Sequence, residues 1–298
     1  MSDVSVHAFH DDALQAQAFA DALGVAPLFV DTHVFDDGEI VPRTPAAART
    51  VVVYRSLAQP NAKLVELLLA CDAWRRAGVE RLVLVAPYLC YMRQDAVFSP
   101  GEPLSQQVIG RLLGERFERI VTVDAHLHRT PRLEDVFPGV DCDNLRGADA
   151  IAAHLRAETL PENLLVLGPD VESAPWVEGL AHRIGREGAV LSKTRHGDHE
   201  VSIALPEDAA IAGRPVLLLD DICTSGGTLA TATRELRARG ATTVDAIVTH
   251  ALFSPDAGAR LAAAGLRRIR SCDSCPHPTN AIPLAALLAD AVRKEWTS

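Results

Sequence analysis

The sequence contains no apolar run that approaches the ~20 residues a membrane-spanning helix needs. Its first residues, MSDVSVHAFHDD, also lack the basic region and the following apolar stretch of a secretory signal peptide. These two absences argue against a membrane partner and favour a cytoplasmic protein.

A basic stripe is missing as well. The formal net charge is −10 at pH 7. A protein that binds nucleic acid without sequence preference would normally carry a basic stripe, so no nucleic-acid partner is expected. The acidic balance does not exclude phosphorylated small molecules, because backbone amides, a metal ion and a few basic side chains can bind them locally.

Cysteines are scattered, and Cys272 and Cys275 form the one CxxC pair. A structural zinc site needs four ligands, and the sequence offers neither a second pair nor an HxxxH partner. Two reduced thiols in a cytosolic protein are therefore the favoured interpretation, with zinc binding and redox chemistry as the alternatives.

The chain does contain enough apolar sequence for two cores. Its 298 residues suggest two domains at ~100–200 residues each, and 48% of them are hydrophobic. Runs rich in Val, Leu and Ile show little polar alternation, as in parallel strands buried on both faces; they cover 79–89, 118–126, 163–170, 214–222 and 243–250. Helical patterns cover 61–77 and 226–239, each followed by a glycine. This alternation predicts doubly wound α/β sheets.

A polar stretch near 143–162 divides the chain into similar halves, so the expected domains are residues 1–145 and 146–298. In open parallel sheets, ligands bind beyond the carboxyl ends of the strands. Polar residues of interest fall at the ends of the predicted strands: Arg93, Gln94, Asp124, His126, Asp170, Asp220 and Asp221.

Residues 216–228, VLLLDDICTSGGT, combine a strand, two adjacent carboxylates, a Gly-rich loop and the start of a helix. Glycines 226 and 227 allow a tight turn that brings the backbone close to a ligand, and amides at a helix N-terminus favour an anion. Asp220 and Asp221 would repel a phosphate, so they suit sugar hydroxyls or a metal ion beside it. A plain Gly-rich turn with surface aspartates is the alternative.

This string resembles the phosphoribosyl-pyrophosphate-binding motif of type I phosphoribosyltransferases and of the ribose-phosphate pyrophosphokinases. The motif alone leaves open whether the enzyme uses phosphoribosyl pyrophosphate or makes it. Further segments resemble those of the pyrophosphokinases, in the same order along the chain: FDDGE (35–39), PYLCYMRQD (87–95), VTVDAH (121–126), GPD (168–170), KTR (193–195), THALFSPDA (249–257) and SCDSCPHP (271–278).

The resemblance implies an α/β fold of two similar phosphoribosyltransferase-like domains, each a mostly parallel sheet flanked by helices. The N-terminal domain would contact ATP and the C-terminal domain would bind ribose 5-phosphate. The implied activity is that of a Mg²⁺-dependent ribose-phosphate diphosphokinase. A homo-oligomer is also implied, because the family's ATP site is shared between subunits.

Residue roles follow from the same resemblance. ATP would be bound by Arg93 and Gln94 and, from a neighbouring subunit, by Phe35, Asp37 and Glu39. Ribose 5-phosphate would be bound by Asp220, Asp221, Thr224, Ser225, Gly226, Gly227 and Thr228. Magnesium would be held by Asp170 and His126, although on chemistry alone His126 is a half-buried histidine, since magnesium prefers oxygen ligands. Lys193 and Arg195, on a flap, would neutralise the charge of the transferred group.

The sequence departs from the family pattern at several places. Val171, Glu172 and Ser173 replace a glycine pair, and Thr224 replaces an Asp that is frequent there. Ala96 and Val97, and the segment 98–107, FSPGEPLSQQ, stand where many bacterial members have basic residues. The GEPLS string is closer to archaeal-type members, and the missing basic residues predict little or no activation by inorganic phosphate.

Two other functions stay open at this stage. A phosphoribosyltransferase would use the same Gly-rich loop, but it would not need the segment 87–95 or the other half of the chain. A non-catalytic protein associated with a synthetase would be expected to lose residues of the flap or of the metal site, and this chain retains them.

Overall fold

The computed structural model describes residues 3–196, 200–204 and 210–296, and all of their side chains except those of 192–196 and 200–204. The chain folds into two compact units. The first contains the residues up to Leu145, Ser274–Pro276 and the segment from Leu284 onward, and the second contains Arg146–Asp273 and His277–Pro283.

The first unit is built on a seven-stranded sheet. Its strands and main helices are, in chain order, β1 (Val4–Phe9), α1 (Ala13–Leu23), β2 (Pro27–Val34), β3 (Ile40–Arg43), β4 (Thr50–Tyr54), α2 (Pro60–Arg76), β5 (Arg81–Val85), α3 (Ser105–Gly114), β6 (Arg119–Val123), α4 (Leu133–Val136) and β7 (Asp141–Leu145). The order across the sheet is β3-β2-β1-β4-β5-β6-β7. Neighbouring strands are parallel except β2 and β3, which form an antiparallel hairpin at one edge.

Helix α2 shows how the sequence pattern builds this core. Leu64, Leu67, Cys71 and Trp74 recur at helical spacing and are all buried in the main apolar cluster of the unit. The helix stops before Gly78, whose φ of 88° places it in the left-handed region that favours glycine.

The second unit contains a six-stranded sheet and a separate two-stranded one. Its strands and helices are α5 (Gly147–Leu155), β8 (Leu165–Gly168), α6 (Ala174–Ile184), β9 (Glu187–Val190), β10 (Ser192–His196), β11 (Glu200–Ala204), β12 (Pro215–Cys223), α7 (Gly227–Ala238), β13 (Thr243–Ala251), α8 (Pro255–Ala263), β14 (Arg268–Cys272) and β15 (Asn280–Ile282). The larger sheet has the order β15-β14-β13-β12-β8-β9 and is parallel throughout. Strands β10 and β11 pair antiparallel.

The end of the chain returns to the first unit. Helix α9 (Ala285–Val292) packs against α1 and is followed by a 3-10 turn, Arg293–Trp296. The expected second domain, 146–298, is therefore too long at its C-terminal end, although the chain does pass into the second unit after Leu145 as expected.

Both large sheets share one strand order once β3 is set aside. In the first, β1 lies between β2 and β4; in the second, β8 lies between β9 and β12. The connections therefore reverse direction between β1 and β4, and again between β8 and β12. Such a switch point, at the carboxyl ends of the strands, is where open α/β sheets bind ligands.

The prediction of two α/β units with mostly parallel sheets flanked by helices is confirmed. Each of the five apolar runs coincides with one strand, although β12 and β13 each extend one residue further, and the two helical patterns correspond to α2 and α7. These segments were predictable because strands buried on both faces select apolar residues at every position.

Candidate active site

Three carboxylates lie at the switch point of the second sheet. Asp220 and Asp221 are near the end of β12, and Asp170 follows β8, the strand that pairs with β12. The Asp170 carboxylate also accepts a hydrogen bond from the Glu172 amide (3.2 Å) and so caps a 3-10 turn, Val171–Ser173. The segment that replaces the family's glycine pair is therefore a short, capped turn.

The electrostatics of this group favour a cation. Burial, followed by the charges of Asp221 and Asp170, raises the pKa of the Asp220 carboxyl well above its usual range. Backbone amides offset part of this cost, since Asp220 accepts the Asp221 amide (3.1 Å) and Asp221 accepts the Ile222 amide (2.7 Å). A half-buried carboxyl with a strongly shifted pKa beside two others is typical of a functional site.

These three carboxylates suit Mg²⁺ that is bound jointly by protein and substrate oxygens. In the part of the chain that the structure describes, no set of three His, Cys, Asp or Glu side chains is placed to hold a metal ion by itself. Mg²⁺ is usually bound by one or two carboxylates together with substrate phosphates, and it seldom occupies a cage made only of protein ligands. Carboxylate oxygens near β8 and β12 match that mode.

The loop after β12 contains the residues predicted to bind the sugar phosphate. Helix α7 begins at Gly227, and Gly226 adopts a φ of 72° that a side chain would strain. A Cβ on Gly226 would also lie 3.2 Å from Leu261. Arg260 donates to the Ser225 carbonyl (3.1 Å) and holds the loop from α8. The Gly227 amide, at the start of α7, donates to the Ser225 hydroxyl (3.4 Å). A helix N-terminus favours an anion, and the hydroxyls of Thr224, Ser225 and Thr228 lie in the same short segment.

The predicted ATP residues of the 87–95 segment lie in the loop after β5. Arg93 and Gln94 are exposed, and the Gln94 backbone is held by Tyr91 (3.2 Å) and by Gln106 (3.1 Å). Sequence reasoning missed the neighbouring ion pair between Asp95 and Arg129, which join at 2.8 Å.

His126 lies just after β6 in a tightly held turn. Asp124, before it, is buried and adopts a φ of 40°, which is rare outside glycine. The Asp124 amide donates to the Leu145 carbonyl (2.9 Å) and the Ala125 amide to the Asn144 carboxamide (2.9 Å). Sequence reasoning did not identify Asn144. Its position near the end of β7, the next strand along the chain, was the one indication in the sequence that it could contact this turn.

The His126 ring lies edge-to-face against the His128 ring, with centroids 4.0 Å apart. The two predicted metal ligands, His126 and Asp170, belong to different units.

The FDDGE segment forms the turn of the β2–β3 hairpin. The Phe35 amide donates to the Glu39 carbonyl (2.8 Å), and the Glu39 amide donates to the Asp37 carboxylate (3.0 Å). Phe35 is 45% exposed, and Asp37 and Glu39 are exposed as well. The segment is thus a well-defined turn that presents an aromatic ring and two carboxylates to its surroundings.

The two predicted catalytic residues fall on β10. The backbone of Lys193 pairs with Ile203 and that of Arg195 with Val201, both on β11. The side chains of Lys193 and Arg195 lie outside the described residues.

At the switch point of the first sheet, a buried ion cluster replaces the Gly-rich loop. Arg55, after β4, is 2% exposed and forms ion pairs with Asp11, Asp12 and Glu66. Lys63 on α2 adds a contact to Asp11 (3.2 Å). The Gly-rich loop is therefore a feature of the second unit, and the sequence analysis did not anticipate this cluster.

Two doubly wound units, one carrying paired carboxylates and an anion loop at its switch point, define a transferase built from phosphoribosyltransferase-like domains. Residues 5–116 match the family model for the N-terminal domain of ribose phosphate pyrophosphokinase, and residues 143–284 match that of the phosphoribosyl transferase domain. The chain belongs to the ribose-phosphate pyrophosphokinase family.

Comparison with individual relatives supports the same family assignment. Ribose-phosphate pyrophosphokinase from Methanopyrus kandleri is 35% identical, with 88% of this chain and 89% of the relative covered. The Maricaulis maris enzyme of the same name is 34% identical, with 94% and 92% covered. The crystal structure of phosphoribosylpyrophosphate synthetase from Mycobacterium smegmatis superposes with a TM-score of 0.85 at 27% identity, and 99% of each chain is covered. The predicted family and the predicted diphosphokinase class are confirmed; the closer likeness to archaeal-type members stays a prediction.

All six cysteines are free thiols, and Cys272 and Cys275 are buried. The zinc alternative for this pair has no ligand set among the described residues. Of the helices that the structure describes, none combines the length and the apolarity of a membrane span.

Proposed function

We propose that this chain transfers the diphosphoryl group of ATP to the 1-hydroxyl of ribose 5-phosphate, giving phosphoribosyl pyrophosphate and AMP. The observation that carries the proposal is the arrangement at the switch point of the second sheet, where Asp170, Asp220 and Asp221 adjoin the anion loop 224–228. A site for a sugar phosphate needs hydrogen-bond donors for the phosphate, which the loop offers, and acceptors for the hydroxyls, which the aspartates offer.

The anion loop would hold the 5-phosphate of the sugar. Its amides and the hydroxyls of Thr224, Ser225 and Thr228 are donors, and the dipole of α7 favours negative charge at Gly226 and Gly227. Asp220 and Asp221, two residues before the loop, would accept hydrogen bonds from the 2- and 3-hydroxyls. A sugar held by its phosphate and by its hydroxyls has O1 oriented for in-line attack on the β-phosphorus. Holding the reactants in this geometry lowers the entropic part of the barrier.

The bond changes are simple. O1 of ribose 5-phosphate forms a bond with the β-phosphorus of ATP, while the bond from that phosphorus to the oxygen bridging the α-phosphate breaks. AMP leaves with the electron pair, and the hydroxyl proton passes to solvent. Because such transition states are loose, positioning and positive charge matter more than covalent participation by the protein.

Magnesium would be held by Asp170 and His126, with Asp220 and Asp221 nearby, and when bound it would neutralise charge on the ATP phosphates. The raised pKa of Asp220 supports this, since a cation would favour the ionised carboxyl. Lys193 and Arg195 would supply further positive charge to the group in transfer.

ATP would be bound by Arg93, whose planar guanidinium can contact a phosphate with two hydrogen bonds, and by Gln94. Phe35, Asp37 and Glu39 would complete the adenine site from a neighbouring subunit, so that the enzyme would work as a homo-oligomer. Their exposure on the turn of the β2–β3 hairpin supports a role outside their own unit. We also propose that the enzyme acts in the cytoplasm.

One assay tests the reaction. Purified protein is incubated with ATP, Mg²⁺ and ribose 5-phosphate, and AMP is measured by chromatography. We expect AMP that depends on the sugar, and Asp220→Asn should lose most of it. Asp256→Asn, a carboxylate exposed on α8, is the matched control and should retain the wild-type rate.

The same assay separates the alternatives. A phosphoribosyltransferase would form no AMP from ATP but would consume phosphoribosyl pyrophosphate when a nucleobase is added. A non-catalytic protein would do neither. Adding inorganic phosphate at constant ionic strength tests the predicted lack of activation, which a clear rise in rate would contradict.

A further inference from the structure

A second cavity lies in the second unit at the other end of β12. It has a volume of about 440 Å³ and is lined by the first residues of β12, β13 and β14, including Pro215–Leu217 and Thr243. Asp220 and Asp221 lie near the opposite end of the same strand. Five steps of about 3.3 Å each lead along the strand from Pro215 to Asp220, so the cavity and the anion loop lie at opposite ends of β12.

Three guanidinium groups line this cavity, from Arg267, Arg268 and Arg270. Two carboxylates, from Asp245 and Glu158, face them, which leaves an excess of one positive charge. The cavity is therefore cationic within a protein whose net charge is −10.

The three arginines differ in how closely they pair with these carboxylates. Arg267 binds Asp245 through two hydrogen bonds of 2.8 and 2.5 Å. Arg268 reaches the carboxylates only at 3.7 and 3.8 Å, and its side chain is 49% exposed. Arg268 is thus free to turn toward an added anion without breaking a short hydrogen bond.

Arg270 is the most buried of the three arginines. Its side chain is 8% exposed and contacts Glu158 at 2.5 Å and His154 at 3.2 Å. Its Nε has no hydrogen-bond partner among the described residues, but this atom is closed to solvent. A ligand in the cavity would therefore contact Arg270 through the other guanidinium nitrogens, which carry further N–H donors.

The rest of the wall combines apolar side chains with the hydroxyls of three threonines, Thr159, Thr242 and Thr243. Among its apolar residues, Leu160, Pro161 and Pro215 keep exposed surface. A volume of this size, with apolar side chains and a few converging charged groups, is typical of sites for small organic ligands. A bare inorganic ion would leave these three apolar side chains in contact with water.

We propose that this cavity binds a phosphate monoester with an apolar body, at a site separate from the candidate active site. The doubly charged phosphate would accept hydrogen bonds from Arg268 and Arg270, since the planar guanidinium matches phosphate oxygens. The apolar body would lie against the leucine and proline side chains. This inference does not depend on the proposed reaction.

Phenyl phosphate is a suitable probe because it combines the two required parts. Its binding is measured by isothermal titration calorimetry with ribose 5-phosphate present at saturation, so that the anion loop is occupied. We expect one further site, at which inorganic phosphate binds at least tenfold more weakly. Arg268→Gln should weaken phenyl phosphate binding tenfold or more.

The control is Arg76→Gln, which removes one exposed arginine of the first unit and should change nothing. Arg268 is half-exposed, so its variant is expected to fold, and thermal unfolding checks this: phenyl phosphate should raise the unfolding temperature of the wild type and not of Arg268→Gln. The proposal is overturned if no site remains beside ribose 5-phosphate, if Arg268→Gln binds normally, or if inorganic phosphate binds as tightly as phenyl phosphate.

Discussion

Arg119 on β6 and Glu295 in the last 3-10 turn form an ion pair of 2.9 Å between side chains that are 1% and 4% exposed. Arg81 on β5 also donates to the Glu295 carboxylate, at 2.7 and 3.1 Å. One carboxylate from the end of the chain is thus shared by two arginines of the first sheet, and Arg119 also pairs with Asp143 (2.5 Å).

Replacing Glu295 by Ala should therefore destabilise the first unit. Arg119 would lose one buried partner but would keep its ion pair with Asp143 (2.5 Å), so the expected cost is about 1–3 kcal/mol, that of a lost hydrogen bond to a charged group. Denaturant unfolding measures the change. Glu80→Ala, which removes an exposed partner of Arg49, is the control and should have little effect. Equal stability of the two variants would show that the Glu295 ion pairs contribute nothing.

The stability of the first unit should fall in mild acid because of His7. Trp74 donates its indole hydrogen to Nδ1 of His7 (3.1 Å), and burial lowers the pKa of His7 to about 4. Between this value and the ordinary 6.5, the unfolded chain binds a proton that the folded chain does not, so stability is lost as the pH falls through this window. The loss amounts to about 3 kcal/mol.

Denaturant unfolding at several pH values checks this. His7→Leu should be less stable at pH 7 but should lose less stability on acidification. Trp74→Phe keeps the imidazole buried and should retain the slope of the wild type. An unchanged slope in His7→Leu would assign the acid sensitivity to other groups.

Gly226→Ala should impair sugar-phosphate binding through the loop conformation. The left-handed φ costs an alanine about 1–2 kcal/mol, and the new Cβ would press on Leu261. We expect a higher KM for ribose 5-phosphate, measured by initial rates of AMP formation. Gly213→Ala is a matched control, since its φ of 78° carries the same strain at a place outside the loop. A raised KM in both variants would attribute the effect to general destabilisation.

Asn144 should act as a positioning residue for His126. Its carboxamide oxygen accepts the Ala125 amide, and the loss of one such hydrogen bond in Asn144→Ala should lower the rate up to about tenfold. The Mg²⁺ concentration for half-maximal rate should rise as well, which a purely structural role would not cause. Asn144→Asp keeps an acceptor oxygen and should restore most of the activity. Asn163→Ala, in the second unit, should behave as wild type.

Lys193→Ala should lower the rate of AMP formation by ~10²–10³-fold, as expected when a main contact to the transition state is lost. The KM values should change less than kcat, because the charge on the group in transfer builds up after binding. Lys294→Ala removes an exposed lysine that pairs with Asp141 and serves as the control. Near-normal turnover in Lys193→Ala would remove this residue from the mechanism.

The candidate site of the second unit was predictable from sequence because its parts are neighbours along the chain. Asp220, Asp221 and the loop 224–228 lie within one strand–loop–helix segment, and local rules of strand burial, glycine conformation and helix start determine it. The strands were equally predictable from the sequence, because burial on both faces leaves an unbroken apolar run.

Only the tertiary structure decided the contacts between distant segments. The cluster around Arg55, the bond from Ala125 to Asn144, the pair of Arg119 with Glu295 and the cationic cavity all join residues that are far apart in sequence or lie on different strands. Such contacts depend on the order of the strands in the sheet and on which strand ends are neighbours. A local sequence pattern specifies neither of these. The sequence by itself therefore determined the class of chemistry and the loop that serves it, whereas the tertiary packing within each unit determined which distant side chains meet and where the cationic cavity lies.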